Sequence, residues 1–279
     1  MHPRTADRPE DERTMSRRQP GIAVLAHLIA AGALSCAPAT PKRVIPPMTL
    51  QPDGVTIETG SLAHGVAGTK RPAERHEPNR PPFMNGVPEH LRYAFDGETL
   101  DPVVRYRQKQ LLVYPLESYR QIHEGDERAQ FDRQVSALRT LIDRRGEGKT
   151  DNLLVLPPTA AGQVFAAQVR HLEFKPGAGI RYVTRYSVTN TPTTSDEIFY
   201  TFQGITPDGL YYVSLFWPVA AKDLPPSNDF VESRRYLDGL QPPDFTPSLD
   251  DLDAMARSIT VQGGAPAKPA AAKDTTGGQ

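Results

Sequence analysis

The sequence predicts an α+β domain built on an antiparallel sheet, and three observations carry that prediction. Between residues 164 and 217, four stretches of strand character follow one another with only short connections. Phe131, Val135, Leu138, Leu141 and Ile142 recur at helical spacing and mark one amphipathic helix over roughly 127–144. Leu249, Leu252, Met255 and Ile259 share the face of a second helix that closes the domain.

Taken in order, Gly54 opens the domain and residues 55–59 alternate as a short strand. Residues 70–90, dense in Pro and charge, are expected to form an exposed loop. Residues 91–95 alternate again and end at the turn pair Asp96-Gly97. Residues 110–114 are a short apolar run stopped by Pro115, which suits a buried strand. The helix over 127–144 is stopped by Gly146 and Gly148.

Residues 164–174 then begin the strongest β signal, and 175–179 turn the chain. Along 180–188, Ile180, Tyr182, Tyr186 and Val188 lie on one side and Arg181 and Arg185 on the other. Residues 197–203 give a third strand. Thr206-Pro207-Asp208-Gly209 has turn chemistry, with Pro preset for the second position and Gly free to take positive φ. Residues 210–217 give a fourth strand ended by Pro218, so the C-terminal half holds a four-stranded meander. The neighbours Phe199 and Tyr200 point to opposite faces, so burying both requires cover on both sides of the sheet. In the closing helix Ser248 is the expected N-cap, with Asp250 and Asp251 in the dipole-favoured first turn, and 259–261 ends the fold.

The ends of the chain have a different character. Arg17 and Arg18 precede an apolar run of 14 residues from Gly21 to Leu34. A membrane-spanning helix needs about 20 residues, so a basic start, a short apolar core and small residues before position 36 mark a secretory signal over 1–35. The charged stretch 1–14 does not resemble a signal start, and Met15 makes the better one. Ala33-Leu34-Ser35-Cys36 resembles the lipobox of bacterial lipoproteins, although Ala33 stands where Leu is usual. Cys36 is the one cysteine in the chain, so no internal disulfide can form, and acylation would consume a thiol that is otherwise a liability in an oxidising compartment. An ordinary cleaved signal with an incidental cysteine is the competing interpretation. Residues 37–52 are Pro-rich and expected to tether the lipid to a single domain over 53–262; residues 263–279 hold small, polar and Pro residues and are expected to be a disordered tail.

The chemistry-bearing patterns are few. Net charge is −1, and no basic field points to nucleic acid. There is no Gly-x-Ser-x-Gly elbow, no His-Glu-x-x-His, no cysteine pair, no EF-hand spacing and no phosphate loop, so neither a metal nor a cofactor is expected. The histidines of the exported part are His64, His76, His90, His123 and His171, with His123 beside Glu124 the best general-base candidate by neighbour type. The acids Asp250, Asp251 and Asp253 suit a solvated helix start or a cation. Arg181 and Arg185 could grip an anion or a carboxylate, or face solvent with Glu173 or Glu197 as cross-strand partners.

Several stretches resemble a family of predicted bacterial lipoproteins of unassigned function: 163–169, 177–183, 199–204, 208–213 and Pro218-Val219, with the order of elements over 53–261. Their layout is more distantly similar to the PsbP/Mog-type sandwich, an antiparallel sheet with helices on both faces. The resemblance implies a binding or assembly role and carries no catalytic group. The expectation is a lipid-anchored protein outside the cytoplasm, on the periplasmic side of the outer membrane where the cell has two. It would be an accessory module with a protein or small-ligand partner. An exported hydrolase with a nonstandard site built on His123 or His171 is the alternative, and a purely structural surface protein the third possibility.

Overall fold

The computed structural model describes residues 54–74, 86–99, 105–150 and 153–262. The signal, Cys36, the tether, the tail and His76 lie outside the described residues. The described part begins with β1 (Val55–Thr56), β2 (Val66–Arg71), β3 (His90–Phe95) and β4 (Gln110–Pro115), followed by α1 (Leu116–Gln121) and α2 (Gly125–Asp143). Then come β5 (Gly162–Phe174), β6 (Gly177–Ser187), β7 (Phe199–Ile205) and β8 (Tyr211–Pro218). The chain ends with β9 (Ala220–Ala221), α3 (Phe230–Gly239), β10 (Phe245–Thr246), α4 (Leu249–Ser258) and β11 (Thr260–Val261).

The fold is α+β. Seven strands form one antiparallel sheet in the order β2-β3-β4-β8-β7-β6-β5. The expected meander is its β5-to-β8 half, and the N-terminal strands add on beyond β8. Two small antiparallel pairs, β1 with β11 and β9 with β10, stand apart from it.

Strand alternation produces two cores. Ile180, Tyr182, Phe199, Tyr212 and Phe216 pack with Tyr119 of α1 and with Phe131, Val135, Leu138 and Leu141 of α2. Val183, Tyr200, Phe202, Val213, Leu215 and Trp217 pack with Leu237 of α3 and with Leu249, Leu252 and Met255 of α4. Phe199 and Tyr200 thus bury themselves in different clusters, each 1 % exposed or less. This double cover is why β7 and β8 are buried at nearly every position.

The local signals act as their chemistry dictates. Ser248 accepts a hydrogen bond from the N–H of Asp250, with Asp250 and Asp251 in the first turn of α4. The left-handed residues Arg145 and Gly146 end α2, and the Gly146 N–H donates back to the Leu141 carbonyl at 2.8 Å. At the β7–β8 turn Gly209 has φ of 71° and donates to the Thr206 carbonyl at 2.8 Å.

Four expectations need correction. The strand expected over 55–59 is only the two residues of β1, because its partner among the described residues is the equally short β11. The expected loop over 70–90 begins inside a strand: β2 runs to Arg71, and Glu74 bridges Val87. β2 is exposed at every position, so it carries no apolar alternation to betray it. Val188 lies beyond β6 and is 76 % exposed, not on the buried side. Gly179 sits within β6 opposite Gly204, and the turn is confined to the residues around Pro176.

That register makes Gly179 sterically obligatory. A Cβ there would lie 2.5 Å from the Gln203 carbonyl oxygen and 2.5 Å from the Phe202 ring. Gly179→Ala is predicted to destabilise the domain by about 1–3 kcal/mol, the usual cost of overpacking. Gly65→Ala, which meets nothing within 4 Å, should be close to neutral. Denaturant titration of both variants checks this, and equal responses would contradict the register.

Candidate functional site

On the α2 side of the sheet, a groove of about 430 Å³ runs between α2 and the segment leading into β5. Its floor is apolar, built from Phe131, Leu154, Leu156 and Pro158. Polar groups occupy the walls: His123, Glu127, Gln130 and Gln134 from the α2 side, Thr159 and Gln163 from the other, with Tyr186 beneath.

His123 is positioned by the junction between α1 and α2. Its ring lies over Phe131, with centroids 5.2 Å apart, and beside Tyr119 at 6.0 Å; those two rings stack on each other at 5.6 Å. Its carbonyl accepts from the Arg128 guanidinium at 2.8 Å. The two helices are clamped by Arg120, which donates twice to Asp132 at 2.7 and 2.9 Å. Among the described residues His123 Nδ1 is buried without a hydrogen-bond partner, and the Glu127 carboxylate lies 3.8 Å from it. Burial lowers the His123 pKa, and Glu127 offsets this only in part, so the ring is neutral at pH 7. On the opposite wall Gln163 accepts from the Leu153 N–H at 3.1 Å, and its Nε2 is buried without an acceptor among the described residues. Burial pushes the hydroxyls of Tyr182 and Tyr186 well up, so both stay protonated.

The arginine pair lies elsewhere, on the α4 side of the sheet. Arg181 is 1 % exposed. Its Nε and one terminal nitrogen donate to Asp253 at 2.8 and 3.1 Å, and the other terminal nitrogen donates to the Gln168 carbonyl. Arg185 pairs with Glu197 at 3.1 Å and donates to Thr191 and Thr193 in the loop before β7. All three nitrogens of the Arg181 guanidinium are therefore engaged by the protein itself. Glu197, the cross-strand candidate, is the partner of Arg185, but that pair is buried at the arginine rather than solvent-facing. Asp253 is not at a solvated helix start: it is fully buried and also takes a hydrogen bond from Tyr200 at 3.2 Å.

The remaining histidines are dispersed. His171 lines a second depression with Arg139, Arg145 and Glu173. His90 is buried against Tyr114, and its Nδ1 lies 2.9 Å from the Pro88 carbonyl oxygen. Among the described residues no cluster of three His, Cys, Asp or Glu side chains is placed to hold a metal ion. Among them, too, no helix is long and apolar enough to cross a membrane.

Sequence reasoning singled out His123 but paired it with Glu124, whereas the carboxylate that reaches it is Glu127, one helical turn away. Gln163 escaped notice because a single amide in a β run has no signature. Comparison with family models, with curated proteins and with solved structures gives no match.

Two predictions follow from these environments. Removing Asp253 leaves Arg181 as an uncompensated buried charge, so Asp253→Ala should cost about 3–5 kcal/mol in denaturant unfolding. A loss below about 1 kcal/mol would show that the pair is not a structural one. Because the folded chain binds a proton at His123 more weakly than the unfolded chain does, the His123 contribution is complete above the ordinary value of 6.5 and is lost as pH falls through the lowered folded value. His90 and His171 are lowered for the same first reason, burial. Melting temperature should drop between about pH 7 and about pH 5, with a shallower slope in His123→Gln. An unchanged slope in that variant would contradict the burial of His123.

Proposed function

We propose that the chain is an exported lipoprotein, acylated at Cys36, whose α+β domain works as a binding module at the surface of the cell envelope. The observation that carries the binding part is the groove. It combines an apolar floor with two buried polar atoms, His123 Nδ1 and Gln163 Nε2, that have no hydrogen-bond partner among the described residues, the Nδ1 having only the Glu127 carboxylate 3.8 Å away. Buried polar groups are paired in folded proteins with few exceptions, so both atoms mark a place where a ligand completes the bonding. The residues around position 36 support the anchor, and the sheet with helices on both faces supports the likeness to the PsbP/Mog-type sandwich and to predicted bacterial lipoproteins. Ala37 after the cysteine favours the periplasmic side of the outer membrane in a cell that has two membranes.

A second reading rests on one geometric fact: His123 and Glu127 share the groove at 3.8 Å. A neutral imidazole beside a carboxylate can activate a water molecule, which would make the chain an exported hydrolase. Turnover of ester or phosphoester substrates that disappears in His123→Gln would favour this reading over pure binding.

The anchor is tested by cell fractionation. Each buried CH₂ of an acyl chain contributes about 0.8 kcal/mol, and stable anchoring takes more than one chain. Cys36→Ser should therefore move the protein from the membrane to the soluble fraction, and persistence at the membrane would sink the lipid assignment. The groove is tested by capture from solubilised membranes. Ala161→Trp, which fills the groove from its rim, should abolish any partner that the unaltered chain retains.

A further inference from the structure

The seven-stranded sheet ends in two unlike edges. At one, β5 is interrupted by two register shifts and tied to α3, where Gln168 bonds Asp238 through its N–H and the Leu237 and Leu240 carbonyls through its side chain. Bulges and cover of this kind are how native sheets blunt an edge. At the other edge β2 runs along β3 without a register shift, and every residue from His64 to Glu74 is exposed. Glycine has no side chain, so the exposure of Gly68 is exposure of main chain. The Asp96 N–H donates to the Gly65 carbonyl at 2.9 Å, so the carbonyl of Gly65 faces β3. Facing alternates along an antiparallel ladder, and Val66, Gly68 and Lys70 therefore turn their N–H and C=O groups outward. The Tyr93 ring lies against Gly68, where a Cβ would sit 2.5 Å from it, and this contact holds the unburied strand to the sheet.

We propose that β2 pairs with β2 of a second copy of this chain, antiparallel about a two-fold axis at Gly68, so that the two sheets join edge to edge. Register and charge select this occupant. With Gly68 opposite its own copy, Val66 stands opposite Lys70 of the second copy, and every outward-facing residue of one strand meets an outward-facing residue of the other. No like charges are opposed. Lys70 meets Val66, whose exposed side chain offers apolar surface to the lysine stem, and Ala67 meets Thr69. Arg71 stands opposite Gly65 of the second copy, one strand spacing from Asp96, whose carboxylate accepts from the Gly65 N–H at 3.3 Å. Lys70 keeps Glu89 at 2.7 Å within its own copy. The next register would set Pro72, which has no N–H, opposite Val66, and the one after it would set Lys70 opposite Lys70. The net charge of −1 adds little repulsion between copies. A seam of one short strand is a small interface, so the association is weak and reversible.

Sedimentation equilibrium of the full chain carrying Cys36→Ser, taken up to about 1 mM, should show a reversible monomer–dimer equilibrium. The exposed Val66 carries the test of register. Val66→Lys opposes lysines on both sides of the axis and should weaken the dimer by about threefold or more, whereas Val66→Glu sets a carboxylate opposite each Lys70 and should tighten it, both at an unchanged melting temperature. A mixture of Ala67→Cys and Thr69→Cys chains, each also carrying Cys36→Ser, should form a disulfide on mild oxidation faster than either chain alone. Residues 67 and 69 meet as a non-hydrogen-bonded pair, with Cα atoms about 4.5 Å apart, a separation that a disulfide spans. A chain that stays monomeric, a mixture that links no faster than its components, or a dimer that responds alike to Val66→Lys and Val66→Glu would each overturn the proposal. If the chain stays monomeric while Val66→Pro, which removes one outward N–H, abolishes capture of a partner from solubilised membranes, the edge serves a strand of another protein and the second-copy proposal fails.

Discussion

The arrangement of one whole layer of this domain depends on a carboxylate that never meets water. Asp253 stands on the inner face of α4 and holds Arg181 of β6, the strand next to the β5 edge of the sheet. Arg181 in turn bonds the carbonyl of Gln168, a residue driven to φ of 56° at the irregularity in β5. The Gln168 side chain then donates to the carbonyls of Leu237 and Leu240 at the end of α3, and its N–H donates to Asp238. One chain of bonds therefore fixes α4 to the sheet, the sheet to its bulge and the bulge to α3. Apolar burial supplies most of the cohesion but has no direction; this polar chain supplies the registry. Arg170 joins the same carboxylate from the neighbouring strand at 3.2 Å, with Asp250 3.9 Å from it, so the cluster is nearly balanced in charge.

The opposite layer is organised differently, and that difference makes room for the groove. There α1 and α2 meet the sheet through aromatic and aliphatic contacts, and their mutual clamp, Arg120 with Asp132, lies toward the solvent. No buried ion pair spans this layer among the described residues. Between α2 and β5 lies the irregular segment 153–158, which lines the groove and buries Leu154, Val155 and Leu156 in the core shared with α2. A second strand or helix in that position would have closed the depression. The groove is thus the product of covering half a sheet with a segment that belongs to no strand or helix.

Much of the architecture was legible because it is encoded locally. The four meander strands, α2 and α4 all carry their own period, stop signals or caps, and the doubled aromatic parity at Phe199 and Tyr200 foretold cover on both faces. The missing elements lacked such marks. β2 has no buried position, α1 is six residues long, and α3 has a single buried apolar residue, Leu237. The site was less legible for a stronger reason. Whether an arginine on a strand faces solvent or a buried acid depends on the helix above it, and Arg181 and Asp253 are 72 positions apart. His123 and Glu127 are close enough in sequence to be read as a helical pair, but Gln163 reaches the same groove from another layer, and no pattern in its neighbourhood announces it.

β1 and β11 also bear on how the domain is assembled in time. Val55 pairs with Val261, Gln262 donates to the Gly54 carbonyl at 2.7 Å, and the Glu58 N–H meets the Ser258 hydroxyl 200 positions later. The first strand therefore has no partner until the last has been made. Closing so long a loop costs only slightly more than closing a shorter one, since the entropy grows with the logarithm of length, but contacts this distant slow the search. The meander, whose neighbours are adjacent in sequence, can form without this seam, and Lys175, just after β5, joins it by exchanging bonds with Ile259 and Val261. A kinetic experiment would thus find a molecule that acquires its sheet early and buckles shut late, with both entry and exit of the chain drawn to one spot.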